Sequence, residues 1–299
     1  METILSINQL SKRYGRIQAV NQLSLEVSKG QVFGILGPNG SGKTTTLGMV
    51  LDLIRPDSGS FKWFGEDPTK ESRKRIGAVI ETANFFPYLS ARKNLEIVAK
   101  VKDYDYADID RSLQTAGLFD RRNDKFRTYS FGMKQRLAIA SAMLNQPEVM
   151  ILDEPTNGLD PQGIAQIREL ILKVANEGIT IILASHLLDE VQKICDHVAV
   201  LNNGNILFSG KVDKVLAISD SIEIASNDTE ALRAAITEHP SFLSISESNG
   251  ILLAVFSVDV RPSDLSDYLN QRKITLSHLS ERKRTLEQHF LELLKDNVS

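Results

Sequence analysis

Apolar and polar residues alternate over residues 4–10 (Ile4, Leu5, Ile7, Leu10) and 23–27 (Leu23, Leu25, Val27), the two-residue period of a half-buried strand. Lys29-Gly30 marks a turn, and the unbroken apolar run 32–36 has the length of a strand buried on both faces. A glycine-rich stretch leads into a helical pattern over residues 43–53, closed by Arg55-Pro56-Asp57-Ser58-Gly59 as a turn. Further strand-length runs fall at 76–80, 149–152, 179–184 and 198–201. The last of these pairs with 205–208 as a hairpin around Asn202-Asn203-Gly204. Helical spacing covers most of residues 89–144 (Leu95, Ile97, Val98, Leu113, Leu118, Phe119), then 164–176 and 187–195. Strands alternating with helices predict a mostly parallel α/β sheet, with residues 82–145 inserted as a helical subdomain.

Residues 209–220 read as a connector, after which the pattern restarts. Strands are expected at 221–225, 242–246, 251–258 and 274–279, with helices at 229–238 and 263–269. The middle strands join through Ser248-Asn249-Gly250, and the order β-α-β-β-α-β is that of a ferredoxin-like unit. A final helix places Leu286, Phe290, Leu293 and Leu294 on one face. The expected organisation is a large unit over 1–210, a connector over 211–220 and a small α+β unit over 221–299.

Composition narrows the class. The chain has 299 residues, 42% hydrophobic, so it can bury a core, and 35 Lys+Arg against 38 Asp+Glu give a net charge of -3. A nucleic-acid partner is not expected from so even a balance. One cysteine, Cys195, excludes an internal disulfide framework and a cysteine-cluster zinc site, and it fits a reducing compartment. Cys195 falls on an apolar helical face and reads as core. The first ten residues carry Glu2 and no cationic run, unlike a signal peptide. No apolar stretch reaches the roughly 18 residues of a membrane helix.

The candidate chemistry lies in two places. Gly37-Pro38-Asn39-Gly40-Ser41-Gly42-Lys43-Thr44 matches G-x-x-x-x-G-K-[ST] between a strand and a helix, with Thr45 next on the helix. Glycines there let backbone N–H groups turn inward around a phosphate, and the helix start adds partial positive charge. Lys43 is expected to reach phosphate oxygens and the Thr44 hydroxyl to bind Mg²⁺. The run Val149-Met150-Ile151-Leu152 ends in Asp153-Glu154, placing two carboxylates at a sheet edge. Asp153 would hold Mg²⁺ through water and Glu154 would act as general base. The fold class expected is therefore α/β with a P-loop NTPase core, a helical subdomain and a small C-terminal α+β domain.

With these motifs in order, residues 4–210 resemble the ATP-binding subunits of ABC transporters. The resemblance implies ATP and Mg²⁺ as cofactors and ATP hydrolysis as the activity. It places Tyr14 at the adenine-stacking position and Glu81 at the Q-loop position, where Gln is usual and where the metal would be approached. Tyr129-Ser130-Phe131-Gly132-Met133 falls at the signature motif, usually Leu-Ser-Gly-Gly-Gln. Gly158-Leu159-Asp160 falls at the D-loop and His186 at the switch histidine. Ser130 precedes a helical run, so its hydroxyl and the helix N-terminus make an anion site. In the family that site, with Gly132, closes on the nucleotide of a second subunit, which implies an ATP-dependent homodimer.

Two departures shape the expected activity. Glu81 adds a negative charge beside Asp153 and Glu154, and Phe131 and Met133 replace Gly and Gln of the signature. Ile80-Glu81-Thr82 and the stretch from Tyr129 to Leu137 are similar to the bacitracin-resistance and lantibiotic-immunity branch, which removes antimicrobial peptides from the membrane. That implies a separate transmembrane permease as partner and residence at the cytoplasmic face of the membrane. Phe85, Phe86, Pro87 and Tyr88 either face such a partner or pack locally. Two alternatives stand beside this reading: a nucleotide-gated regulator with little turnover, motivated by Phe131 and Met133, and a non-transport ATPase.

Overall fold

The computed structural model describes residues 2–81, 84–212, 221–248, 250–256 and 260–282. Contacts divide the chain into two units, Met1–Gly210 and Lys211–Ser299.

In the first unit, β1 (Thr3–Tyr14), β2 (Ile17–Ser28) and β4 (Ser58–Trp63) form an antiparallel sheet in the order β2-β1-β4. The strands β1 and β2 are longer than their sequence alternation suggests. Register shifts interrupt their pairing, and Gln9 and Gln22 sit at φ 49° and 47°. Such bulges reverse the inside-outside alternation midway, which hides the strand from a period-two reading. The strand β4 replaces part of the turn expected at residues 55–59. Gly59, at φ 84°, has no room for a side chain, since a Cβ would lie 2.2 Å from the Gln9 carbonyl. Trp63 is fully buried and donates its indole N–H to the Val50 carbonyl at 2.8 Å, tying β4 to α1 (Lys43–Val50).

The larger sheet contains β3 (Val32–Leu36), β5 (Ile76–Val79), β6 (Val149–Asp153), β7 (Thr180–Ser185), β8 (His197–Asn202) and β9 (Asn205–Lys211), in the order β5-β6-β7-β3-β8-β9. The pairs β5–β6, β6–β7, β7–β3 and β3–β8 are parallel. Every residue of β3, β6 and β7 is buried, which is why these strands read as apolar runs without alternation. Register decides what meets at their ends: Leu36 pairs with Ser185, and Asp153 with Ala184. The segments that leave β3, β6 and β7 therefore emerge side by side.

The other described α-helices of this unit are α2 (Lys70–Lys74), α3 (Ala91–Lys102), α4 (Asp108–Thr115), α5 (Phe131–Ala142), α6 (Pro161–Asn176) and α7 (Leu188–Ile194). Gly34 on β3 admits α7 at close range: a Cβ there would lie 2.7 Å from Val191 Cγ1 and 3.1 Å from Cys195 Sγ. Cys195 is buried, as its apolar face requires, and burial pushes its thiol pKa upward. No described helix is long and apolar enough to cross a membrane.

In the second unit, β10 (Ser221–Ser226), β11 (Phe242–Ser248), β12 (Ile251–Phe256) and β13 (Leu276–Arg282) form an antiparallel sheet in the order β11-β12-β10-β13. Its helices are α8 (Thr229–Thr237) and α9 (Pro262–Gln271). Ile222, Ile224, Leu252 and Ala254 form one core with Leu232, Ile236, Leu265 and Leu269 of the helices. This is the strand order of a ferredoxin-like unit. Most of the connector, residues 213–220, and the helix expected at Leu286–Leu294 lie outside the described residues.

Candidate active site

The turn after β3 is shaped by glycines with two different duties. Gly42 caps α1 at φ 106°, a conformation that side-chain-bearing residues rarely adopt. Gly37 needs space instead: a Cβ would lie 2.3 Å from the Leu201 carbonyl oxygen and 2.4 Å from Ser41 Oγ. The loop so formed ends at α1, whose first N–H groups have no intrahelical acceptor and point at the loop's concave side. Thr46 Oγ1 donates to the Gly42 carbonyl at 2.8 Å and fixes that start.

Lys43 is 5% exposed, and its ammonium donates to the Gly37 and Pro38 carbonyls at 2.8 and 3.2 Å. The same nitrogen lies 3.3 Å from Glu154 Oε1. The Thr44 hydroxyl donates to Asp153 Oδ2 at 2.8 Å. Glu154 follows β6 directly, at φ 49°, and its N–H donates to the Ala184 carbonyl at 2.9 Å. Its Oε2 accepts from the His186 N–H at 3.3 Å and lies 2.7 Å from His186 Nδ1. An ionised carboxylate only accepts, so in this contact His186 Nδ1 is the donor. Lys43, Thr44, Asp153, Glu154 and His186 thus form one connected set across the ends of β3, β6 and β7.

Burial raises the Asp153 carboxyl above its usual range, opposed by the Thr44 hydroxyl, with the Glu154 charge adding to the rise. Lys43 opposes that rise and Glu81 adds to it. Asp153 Oδ1, Glu154 Oε1 and Ser41 Oγ are buried without a hydrogen bond, although Glu154 Oε1 has the Lys43 charge beside it. Orphaned acceptors beside an N–H-lined cradle fit a cation and a phosphate chain. Among the described residues no group of three or more His, Cys, Asp or Glu side chains could hold a metal alone. A cation here would share its coordination between Thr44, Asp153, waters and phosphate oxygens, which suits Mg²⁺.

Thr44, Glu81, Asp153 and Glu154 line a cavity of about 210 Å³ with Phe131, Gln135 and Asn157. Glu81 sits just beyond β5 at φ 55°. Ser130, Gly132 and Asp160 line a different groove of about 520 Å³, together with Gly158, Leu159 and Gln166. Ser130 N-caps α5, its Oγ accepting from the Met133 N–H at 3.3 Å, and Asp160 caps α6 through the Gly163 N–H at 2.8 Å. Ser130 therefore lies on a separate face, and among the described residues only Phe131 borders both spaces. Tyr14, at the end of β1, is half exposed, with the Lys12 ammonium 5.6 Å from its ring centroid. Phe85 packs edge-on against Phe126 at 5.2 Å, while Phe86 and Tyr88 stay exposed. Gln135 and Asn157 escaped the sequence reading as site residues. The available signal was the four-residue step from Phe131 to Gln135, which puts both on one helix face.

Comparison with known proteins shows the family and the fold. Residues 20–157 match the family model described as ABC transporter. The bacitracin transport ATP-binding protein of Bacillus licheniformis is 35% identical over 98% of this chain and 98% of its own length. A lantibiotic transport ATP-binding protein of Streptococcus pyogenes is 36% identical over 70% of this chain and 92% of its own. Among solved structures, a dimeric post-hydrolysis ATP-binding cassette bound to ADP and Pi superposes with a TM-score of 0.61. It is 26% identical over 70% of this chain and 99% of that one.

Proposed function

The chain belongs to the ATP-binding proteins of ABC transporters, and from that premise we propose that it hydrolyses ATP to drive export of a peptide antibiotic or drug. The observation that carries the catalytic part is the linked set Lys43–Glu154–His186 beside Thr44–Asp153. The loop 37–44 and the α1 N-terminus hold the β- and γ-phosphates, and Lys43 moves from the Gly37 and Pro38 carbonyls to phosphate oxygens. Thr44 and Asp153 would hold Mg²⁺, which would supply positive charge against the developing charge of phosphoryl transfer. Glu154 accepts a proton from the attacking water as the water oxygen bonds the γ-phosphorus and ADP leaves. Its hydrogen bond to His186 fixes the carboxylate and leaves Nε2 free to face the γ-phosphate. Tyr14 stacks on the adenine.

The groove of Ser130, Gly132 and Asp160 lies apart from this chain's own phosphate loop. We read it as the face that meets nucleotide held by a second copy, so that two ATP molecules are enclosed in a homodimer. A separate transmembrane permease then carries the substrate, and the chain works at the cytoplasmic face of the membrane. Exposed Phe86 and Tyr88 suit that contact. The export reading rests on the relatives named for bacitracin and lantibiotic transport.

Steady-state phosphate release by the full chain tests the ATPase, with turnover expected only in the presence of both ATP and Mg²⁺. Co-expression with its permease is expected to raise the concentration of bacitracin or a lantibiotic needed to stop growth. Unchanged sensitivity with intact turnover would remove the substrate class and leave the ATPase.

A further inference from the structure

The cavity at Asp153 and Glu154 has a wall that the proposed chemistry does not use. Gln135, one helical turn beyond Phe131 on α5, lines this cavity and is 7% exposed. Its carboxamide can donate twice and accept through its oxygen, and it makes no hydrogen bond among the described residues, which leaves it available to a molecule in the cavity. Asp153 and Glu154 line the same cavity, and their Oδ1 and Oε1 atoms are buried without a hydrogen bond. Asp153 Oδ1 has no partner there and Glu154 Oε1 has only the Lys43 charge beside it, an arrangement that calls for something to meet them, because buried polar groups are retained where they are met. The volume, about 210 Å³, accommodates several waters.

We infer that Gln135 is a positioning residue for hydrolysis on its own chain, holding the attacking water opposite Glu154. The inference rests on the ATPase reading above. The carboxamide oxygen accepts a hydrogen bond from one O–H of the water while Glu154 accepts from the other and takes that proton, which points the water's lone pair at the phosphate. A single carboxylate fixes only one of the water's two hydrogens, so a second acceptor removes a rotational freedom that otherwise opposes reaction. Phe131 forms the cavity rim and restricts bulk water from that side.

The consequence is a two-way helix. Ser130 and Gly132 begin α5 on the groove face, while Gln135 lies on the cavity side within the same first turns. A nucleotide that tilts this N-terminus from the groove side therefore shifts the water-positioning group of the other site.

The test uses the full chain with Gln135→Leu, which keeps approximate volume and removes the carboxamide, and Gln135→Glu, which restores an acceptor. For Gln135→Leu, kcat is expected to fall about tenfold or more, with the Kd for ATP-Mg²⁺ within twofold of wild type. Its nucleotide-free Tm is expected to be equal or higher, because an unpaired amide has been replaced by an apolar group. Gln135→Glu is expected to recover part of the lost turnover. A Gln135→Leu chain with wild-type kcat would overturn the inference. So would a lowered Tm with kcat unchanged and turnover reduced only by a raised KM for ATP-Mg²⁺, since that is the behaviour of a residue that merely packs. Wild-type protein without any turnover would instead overturn the ATPase reading and this inference with it.

Discussion

Replacing Thr44 with Ala removes the hydroxyl that donates to Asp153 Oδ2 at 2.8 Å and leaves a buried carboxylate with neither oxygen hydrogen-bonded. Hydrogen bonds to charged groups contribute about 1.5–3 kcal/mol, and the exposure of Thr44 favours the lower end, about 1.5 kcal/mol. At roughly 2–4 °C per kcal/mol for a unit of this size, the nucleotide-free Tm should fall by about 3–6 °C near neutral pH. Thr44→Ser should restore it. The sign with pH follows from the carboxylate. Burial raises the Asp153 pKa, and the Thr44 hydroxyl holds it lower than burial alone would. The hydroxyl thus stabilises the ionised form, and its contribution is present above the folded-state pKa and lost as pH falls through it. Thermal denaturation of wild type and Thr44→Ala, measured without nucleotide across a pH series, should show a gap that closes toward acid. A gap that is absent at neutral pH, or that stays constant down to acid, would refute the coupling of Thr44 to an ionised Asp153.

Two further substitutions probe the cradle and the added charge. Gly37→Ala drives a Cβ against the backbone carbonyl of Leu201, and such overpacking costs about 1–3 kcal/mol. Calorimetry should show a Tm lowered by roughly 2–12 °C, and titration with a fluorescent ATP analogue a Kd raised at least tenfold. Glu81→Gln removes a like charge that contributes to the raised Asp153 pKa. Activity that requires ionised Asp153 should then extend to lower pH, while the Mg²⁺ concentration for half-maximal turnover should rise.

What the sequence made legible followed from burial. The fully buried strands β3, β6 and β7 appear as unbroken apolar runs, and the residues that end them, Gly37, Asp153, Glu154 and His186, stand out against that background. Their meeting was not legible residue by residue. It depends on the register Leu36–Ser185 and Asp153–Ala184, which pairs segments more than a hundred residues apart. The strand β4 was hidden because only Phe61 and Trp63 of its six residues are buried, and Gly59 imitates a turn. The bulges near Gln9 and Gln22 concealed half of β1 and β2 in the same way, by breaking alternation. Gln135 stayed unread because a glutamine on an amphipathic helix normally faces solvent. Only the packing of α5 against the cavity at Glu81 and Asp153 shows otherwise.

In the proposed function Glu154 is the base of an ATPase whose sites close between two copies of the chain. Glu154→Gln keeps the shape of the side chain and the room for His186 while removing the proton acceptor. Size-exclusion chromatography with light scattering, run with ATP-Mg²⁺ alongside a phosphate-release assay, measures both parts at once. A stable ATP-bound dimer is expected, with turnover lowered by about 10²–10⁴. A chain that stays monomeric at saturating ATP-Mg²⁺ and hydrolyses at the wild-type rate would contradict the proposal.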